Sequence, residues 1–149
     1  MELPEGYNFR RVKVTDHNEY LDVLRVLTTV GEINEAQFKE LVDHWNSVEG
    51  IYYPQVITDT QGKVVATGCL VVERKAIHQC GKVGHIEDIA VCKLQQGKGL
   101  GLVLIQGLTA IAEKEGCYKV ILDCSDHNVG FYNKCGYTHS GCEMVKRFD

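Results

Sequence analysis

The chain has 149 residues, of which 44% are hydrophobic, and we expect residues 1–149 to form one domain around one core. Its net charge of −4 and isoelectric point near 5.9 provide no overall positive field, so we expect no nucleic-acid partner. No apolar stretch approaches the ~20 residues of a membrane span, and the first residues lack the apolar core of a secretory signal.

The first half of the chain is typical of one strand, two helices and a run of strands. The alternation of side-chain character over residues 7–14 predicts a strand. Asp16 can cap a helix that ends near Gly31. A second helix is expected over 34–45. An antiparallel meander is predicted after it, because short glycine-containing turns separate three apolar strands, at 52–59, 64–77 and 83–91.

The second half alternates helix and strand. The most regular helix is predicted over 98–115, where apolar residues recur every three or four positions and Gly116 follows as a cap. We then expect a strand over 118–123, a short helix that Gly136 ends, and a last strand from Tyr137 to about Arg147. The order βααβββαβαβ contains a β-α-β crossover, so the predicted class is α/β with one mixed central sheet flanked by helices.

The seven cysteines are odd in number and scattered through predicted strands and helices. We interpret them as reduced thiols of a cytoplasmic protein. His78, Cys80, His85 and Cys92 lie close together in sequence but form no CxxC or HxxxH pair, so we expect no metal site.

A glycine-dense turn stands between the fourth strand and the long helix, with the sequence QQGKGLG over 95–101. Backbone N–H groups at the start of a helix, with the helix dipole, favour a phosphate or pyrophosphate. The turn is not a P-loop, because Gly99 rather than Ser or Thr follows Lys98, and its GxGxG is not the Rossmann GxGxxG. A tight turn without a ligand is the alternative interpretation.

The turn matches the Q/R-x-x-G-x-G/A signature of the GNAT acetyltransferase superfamily, with Gln96, Gly99 and Gly101 at the signature positions. Nearly the whole chain resembles the glucosamine-6-phosphate N-acetyltransferase family within it, above all at GHIEDIAV (84–91) and GCYKVILDC (116–124). The resemblance implies transfer of the acetyl group of acetyl-CoA to the 2-amine of glucosamine 6-phosphate, a step of UDP-N-acetylglucosamine biosynthesis.

Three residues are implied to carry the chemistry. The backbone N–H near Ile89 would stabilise the oxyanion where the fourth and fifth strands part, and the Ile89 side chain would be incidental. Asp123 would remove a proton from the amine or only orient it, and Tyr132 would donate to the departing thiolate. From the residues alone, Asp123 also fits a helix cap and Tyr132 a core aromatic.

The resemblance also implies two sets of binding residues. Coenzyme A would contact Ile89, Ala90, Val91, Gln96, Gly97, Lys98, Gly99, Leu100, Gly101, Asn128 and Tyr132. The sugar phosphate would contact Thr28 or Thr29, with Lys75, Ala76, Ile77, His78, Glu87, Asp88, Ile89, Asp123 and Arg147. The family forms intertwined homodimers with shared active sites, which would bring Arg147, otherwise a solvated terminal charge, to a neighbour's site.

Two other functions stay open: a GNAT enzyme for another amine, such as a polyamine or a protein N-terminus, and a catalytically silent CoA-binding domain. A polyamine enzyme should have an acidic acceptor site, whereas Lys75, His78 and Arg147 favour an anionic acceptor. A silent domain would be expected to lack Asp123 or Tyr132, and the sequence has both.

Overall fold

The computed structural model describes residues 2–149, which are built around a five-stranded sheet. The strands lie side by side in chain order: β1 (Asn8–Arg11), β2 (Tyr52–Thr58), β3 (Val64–Arg74), β4 (Lys82–Val91) and β5 (Cys117–Ile121). The first four pair antiparallel, and β5 pairs parallel to β4. The predicted mixed sheet is therefore confirmed.

Helices cover both faces of this sheet. They are α1 (His17–Leu24), α2 (Glu35–Ser47), α4 (Leu100–Lys114) and α5 (Val129–Lys134), and α3 is the single turn Ile77–Cys80 between β3 and β4. The protein has two hydrophobic cores, one on each face of the sheet. Neighbouring residues of β2 point to different cores, since Ile57 packs with α4 and Val56 packs with α1 and α2. None of the helices between residues 2 and 149 has the length and apolar character that a membrane crossing needs.

Local signals explain where the main helices begin and end. Asn34 caps α2 by accepting from the Gln37 backbone N–H at 2.8 Å, and the Gln37 side chain accepts from the Asn34 N–H at 2.9 Å. Gly116, at φ +85°, ends α4 as predicted. Asp16 precedes α1 but does not cap it through its side chain, because Arg10 donates to both carboxylate oxygens at 2.8 Å.

Strand β4 contains a bulge next to the candidate site. Its register with β3 shifts between Thr67 and Cys69, so that Asp88 and Ile89 stand opposite Gly68 alone. Asp88 has a left-handed backbone, with φ +56°. A Cβ added to Gly68 would lie 2.5 Å from Ile89 Cδ1. The Ile89 side chain thus packs into the space that this glycine leaves.

The predicted last strand does not form in the structure. The structure has no strand within residues 137–149, where Met144, Val145 and Phe148 are 89%, 73% and 91% exposed. A strand is stable only where a neighbouring strand pairs with its backbone N–H and C=O groups, and this segment pairs with no strand of its own chain. Apart from the unpredicted single turn α3, the order of helices and strands from β1 to α5 agrees with the prediction.

Candidate active site

A cavity opens where β4 and β5 part. Their parallel pairing runs from Lys82 beside Cys117 to His85 beside Ile121 and then stops. The space beyond has a volume of about 420 Å³, and we call it the cleft. Its walls are formed by Leu27, Ile86, Glu87, Asp88, Ile89, Leu122, Asp123, Cys124, Ser125, Asn128, Tyr132 and Glu143.

Six predicted site residues meet in this cleft. The bulged part of β4 supplies three of them, Asp123 follows the end of β5, Asn128 directly precedes α5, and Tyr132 lies within α5. They are Glu87, Asp88, Ile89, Asp123, Asn128 and Tyr132. Because β5 and α5 are consecutive after the crossover, the carboxylate of Asp123 and the phenol of Tyr132 lie on one side of the opening in the sheet.

The cleft is acidic. Glu87, Asp88, Asp123 and Glu143 all line it, and none of its lining residues, within the part of the chain that the structure describes, is Lys or Arg. Burial, followed by the charges of Asp88 and Asp123, raises the pKa of Glu87, although His85 opposes the shift. One chain therefore forms a cleft that suits an amine and offers no cation to a phosphate.

Tyr132 is a proton donor at neutral pH. Its side chain is half-buried, and this burial is the main cause that raises the pKa of the phenol above its usual value. The charges that Cys124 and Cys135 would carry as thiolates act in the same direction. The phenol therefore stays protonated and can hydrogen-bond or protonate a basic group in the cleft.

The glycine-dense turn has the backbone of an anion-binding loop. Gly97 and Gly99 are left-handed, at φ +88° and +76°, and α4 begins directly after them with no acidic residue in its first turn. Gly101 has a different role, because a Cβ there would lie 3.1 Å from the Phe131 ring. The N–H groups at this helix start and the helix dipole together favour a phosphate.

A side-chain network that the sequence did not reveal supports the loop. The Tyr7 hydroxyl donates to Gln95 Oε1 at 2.8 Å, and Lys98 Nζ donates to the same oxygen at 3.1 Å. Gln96 Nε2 donates to the Val91 carbonyl at 3.3 Å. Tyr7 and Gln95 are 88 positions apart, and no local pattern links residues at that distance.

Five predicted substrate residues lie away from the cleft. Four of them, Lys75, Ala76, Ile77 and His78, lie at the far end of the β3–β4 hairpin. Arg74 pairs with Lys82, five positions before Glu87, which places the hairpin end about 17 Å from the acidic cluster. The fifth is Arg147, which is exposed and pairs with Asp149 through bonds of 2.9 and 2.7 Å.

Thr28 and Thr29 lie beside the cleft rather than in it. They line a shallow depression of about 640 Å³ formed by residues 25–32 after α1. Leu27 belongs to the walls of both spaces. The segment after α1 can therefore contact a ligand that extends out of the cleft on this side.

The hairpin end has an unusual backbone. His78, Gln79 and Cys80 are all left-handed, with φ of 53°, 57° and 60°. The His78 ring stacks on Tyr118 with ring centroids 3.9 Å apart. A fixed turn with an exposed His78 thus projects from the edge of the sheet, where the chain's own cleft does not reach it.

Six residues of the cleft were not predicted: Leu27, Ile86, Leu122, Cys124, Ser125 and Glu143. Leu122 and Cys124 flank Asp123, so their place beside it could have been inferred from adjacency. Glu143 had no such signal, because its segment was assigned to a strand. Within residues 2–149, all seven cysteines are free, and no group of three or more His, Cys, Asp or Glu is arranged to hold a metal ion.

The chain is similar to known acetyltransferases. The sequence model of the acetyltransferase (GNAT) family matches residues 19–137. A Candida albicans protein named glucosamine 6-phosphate N-acetyltransferase is 61% identical over 149 residues, covering 99% of this chain and 100% of its own length. An Arabidopsis thaliana protein of the same name is 36% identical, with the same coverage of both chains.

Solved structures share the fold. The crystal structure of glucosamine-6-phosphate N-acetyltransferase from Arabidopsis thaliana aligns with a TM-score of 0.93 at 36% identity, over 97% of this chain and 100% of that one. A Trypanosoma brucei acetyltransferase aligns with a TM-score of 0.88 at 29% identity, over 95% of this chain and 99% of that one. The parting of β4 and β5 and the glycine-dense turn therefore belong to a fold that this chain shares with both solved structures.

Proposed function

This chain belongs to the GNAT acetyltransferase family, and we propose that it transfers the acetyl group of acetyl-CoA to the 2-amine of glucosamine 6-phosphate. The products are N-acetylglucosamine 6-phosphate, an intermediate for UDP-N-acetylglucosamine, and CoA. The observation that carries the proposal is the meeting of Asp123 and Tyr132 in the cleft, in a chain 61% identical over its full length to an enzyme of that name.

At the carbonyl carbon the reaction forms one bond and breaks one, and a proton passes from the nitrogen to the sulfur by way of the enzyme. The free amine attacks the thioester carbonyl, the C–N bond forms, and the C–S bond then breaks to release the thiolate. Asp123 orients the amine and accepts or relays the proton that the nitrogen loses, and Tyr132 donates a proton to the thiolate. The backbone N–H groups of the β4 bulge at Ile89 stabilise the oxyanion that forms between these two steps.

Acetyl-CoA would lie along the last residues of β4, from the cleft toward the start of α4. The left-handed glycines and the helix start of the loop suit its pyrophosphate, through N–H groups over 96–101. The pantetheine arm can follow the part of β4 that does not pair with β5, at Ile89, Ala90 and Val91. Asn128 and Tyr132 lie at the opposite wall of the cleft, where the thioester would react.

The 6-phosphate requires positive charge that one chain does not bring to its cleft. We therefore propose a homodimer in which Arg147 of the partner subunit, with the hairpin end over 75–78, completes each site. The carboxy-terminal segment supports this assembly, because it exposes Met144, Val145 and Phe148 and has no pairing strand in its own chain. We also propose a cytoplasmic location, since seven free thiols are typical of a reducing compartment.

The substrate can be tested with a thiol-release assay. We expect turnover of acetyl-CoA with glucosamine 6-phosphate and at least about 100-fold lower kcat/KM with glucosamine. Glucosamine lacks the phosphate that the basic side chains of the proposed homodimer would bind. Spermidine and a peptide N-terminus complete the panel, since an acidic cleft also suits a cationic amine. Faster turnover of spermidine than of the sugar phosphate would contradict the proposal.

Gly99→Val is expected to weaken CoA binding about tenfold or more, because a β-branched residue at a positive φ strains the loop by about 1–3 kcal/mol and crowds the pyrophosphate. Calorimetry with CoA measures the effect. Gly62→Val is the matched control: Gly62 has a similar φ of +79° with nothing within 4 Å of an added Cβ, and it lies outside the loop, in the β2–β3 turn. Equal CoA affinity in both folded variants would remove the loop from CoA binding.

A further inference from the structure

Helix α5, which carries Tyr132, is only partly buried, although Phe131 and Tyr132 pack against the main core. It is six residues long, and none of these residues is buried. Helix α4 is its opposite, with Leu104, Ile105, Leu108 and Ala112 fully buried in the core. A proton donor on α5 therefore needs an attachment to a better-packed element if its hydroxyl is to stay in one place.

Thr109 on α4 provides the first part of such an attachment. Its Oγ1 lies 2.7 Å from the Ile105 carbonyl oxygen and 2.6 Å from the Tyr137 hydroxyl. A carbonyl only accepts, so the Thr109 proton goes to Ile105, and the Thr109 oxygen accepts the proton of Tyr137. The direction of both hydrogen bonds is thus determined, and Tyr137 is fixed to the rigid helix through its hydroxyl.

Tyr137 in turn contacts Tyr132 in two ways. The rings meet edge to face, with centroids 6.5 Å apart at 74°. The Tyr137 backbone N–H donates to the Tyr132 carbonyl at 3.0 Å, which the left-handed Gly136, at φ +91°, makes possible. Phe131 contacts the Tyr132 ring at 5.0 Å. The Tyr132 ring is therefore held between two aromatic neighbours.

We propose that Thr109 and Tyr137 are positioning residues that hold the Tyr132 hydroxyl at the thioester through the chain Thr109–Tyr137–Tyr132. The inference rests on the proposed function, because it assigns a purpose to the location of the proton donor. Thr109 and Tyr137 do not line the cleft, so they act on the reaction only through Tyr132.

Thr109→Val tests the attachment, since valine keeps the shape of threonine and removes the hydroxyl. We expect kcat for glucosamine 6-phosphate to fall about tenfold, because a small displacement of a proton donor is enough for such a loss. KM for acetyl-CoA should stay within about twofold, as the loop is untouched. Thr109→Ser is the matched control and should restore kcat, whereas Tyr137→Phe, which keeps the ring, should reproduce the loss.

The same substitution in a Tyr132→Phe background separates positioning from general stability. If Thr109 acts through the Tyr132 hydroxyl, Thr109→Val has no further effect on kcat when that hydroxyl is gone. An equal loss in both backgrounds, or wild-type kcat in Thr109→Val and Tyr137→Phe, overturns the proposal. Turnover of glucosamine 6-phosphate by the unaltered enzyme tests the proposed function separately.

A measurement without substrate keeps the two proposals distinguishable. Tyrosinate formation is followed by ultraviolet absorbance in the wild-type and Thr109→Val proteins, each with and without Tyr132→Phe. The difference between each protein and its Tyr132→Phe counterpart isolates the ionisation of Tyr132. Loss of the hydrogen bond between Thr109 and Tyr137 should expose the Tyr132 ring to water and lower the pKa of Tyr132 toward its ordinary value. An unchanged pKa together with an unchanged kcat contradicts the positioning role, whatever amine the enzyme acetylates.

Discussion

Asp123→Asn is expected to lower kcat for glucosamine 6-phosphate about 10²- to 10⁴-fold, which is the usual contribution of a positioned acid or base. The amide has nearly the same shape but cannot accept the proton that the amine loses. Affinity for acetyl-CoA should stay within about twofold, because the glycine-dense loop over 95–101 contributes no residue to the cleft that Asp123 lines. Steady-state kinetics and calorimetry on one preparation give both values.

Asp126→Asn is the matched control for this substitution. Asp126 is exposed, lies three positions further along and does not line the cleft, so its replacement removes a nearby charge without touching the reaction. Glu87 remains a lining residue of the cleft in both variants. Wild-type kcat in Asp123→Asn would remove Asp123 from the mechanism.

A mixture of two inactive variants is expected to recover activity if the sites are shared between chains. In a heterodimer of Asp123→Asn and Arg147→Ala chains, one site would carry both defects and the other neither. Each such heterodimer should regain about half of wild-type activity, far above either parent. If each site belonged to one chain, every site would keep one defect, and mixing would not raise activity.

The mixing experiment has two controls. Lys146→Ala, which removes the neighbouring basic residue, should have near wild-type activity without any partner variant, because the proposal gives the phosphate contact to Arg147. Sedimentation of the unaltered protein should give twice the mass of one chain, 16.7 kDa. A monomer, or a heterodimer no better than its parents, contradicts the shared site.

The sequence predicted those parts of the fold that depend on local patterns. The apolar residues of α4 at three- and four-residue intervals are the ones buried against the sheet, and Gly116 ends the helix. Asn34 precedes α2 and caps it. The position of Asp123 and Tyr132 in one cleft followed from the β-α-β crossover and from the family resemblance.

Features that depend on distant contacts were missed. The bulge in β4 has no sequence signal, because HIEDIAV reads as an ordinary strand and the shift depends on Gly68 of the neighbouring strand. The network of Tyr7 and Gln95 joins residues from opposite ends of the chain. The last strand was predicted from residues that favour strands, but strand formation also requires a partner strand, and this segment pairs with none in its own chain.

The bulge at Asp88 and Ile89 also changes the phase of β4. In a regular strand, residues of even number would all face the same side, yet Ile86 packs with α4 and Ala90 packs with α1 and α2. The extra residue is what exchanges the two faces. If β4 kept Asp88 but paired with β3 residue by residue, without the bulge, every later side chain of β4 would turn to the wrong core. The bulge that borders the opening of the active site is therefore also what keeps the later residues of β4 in their own cores.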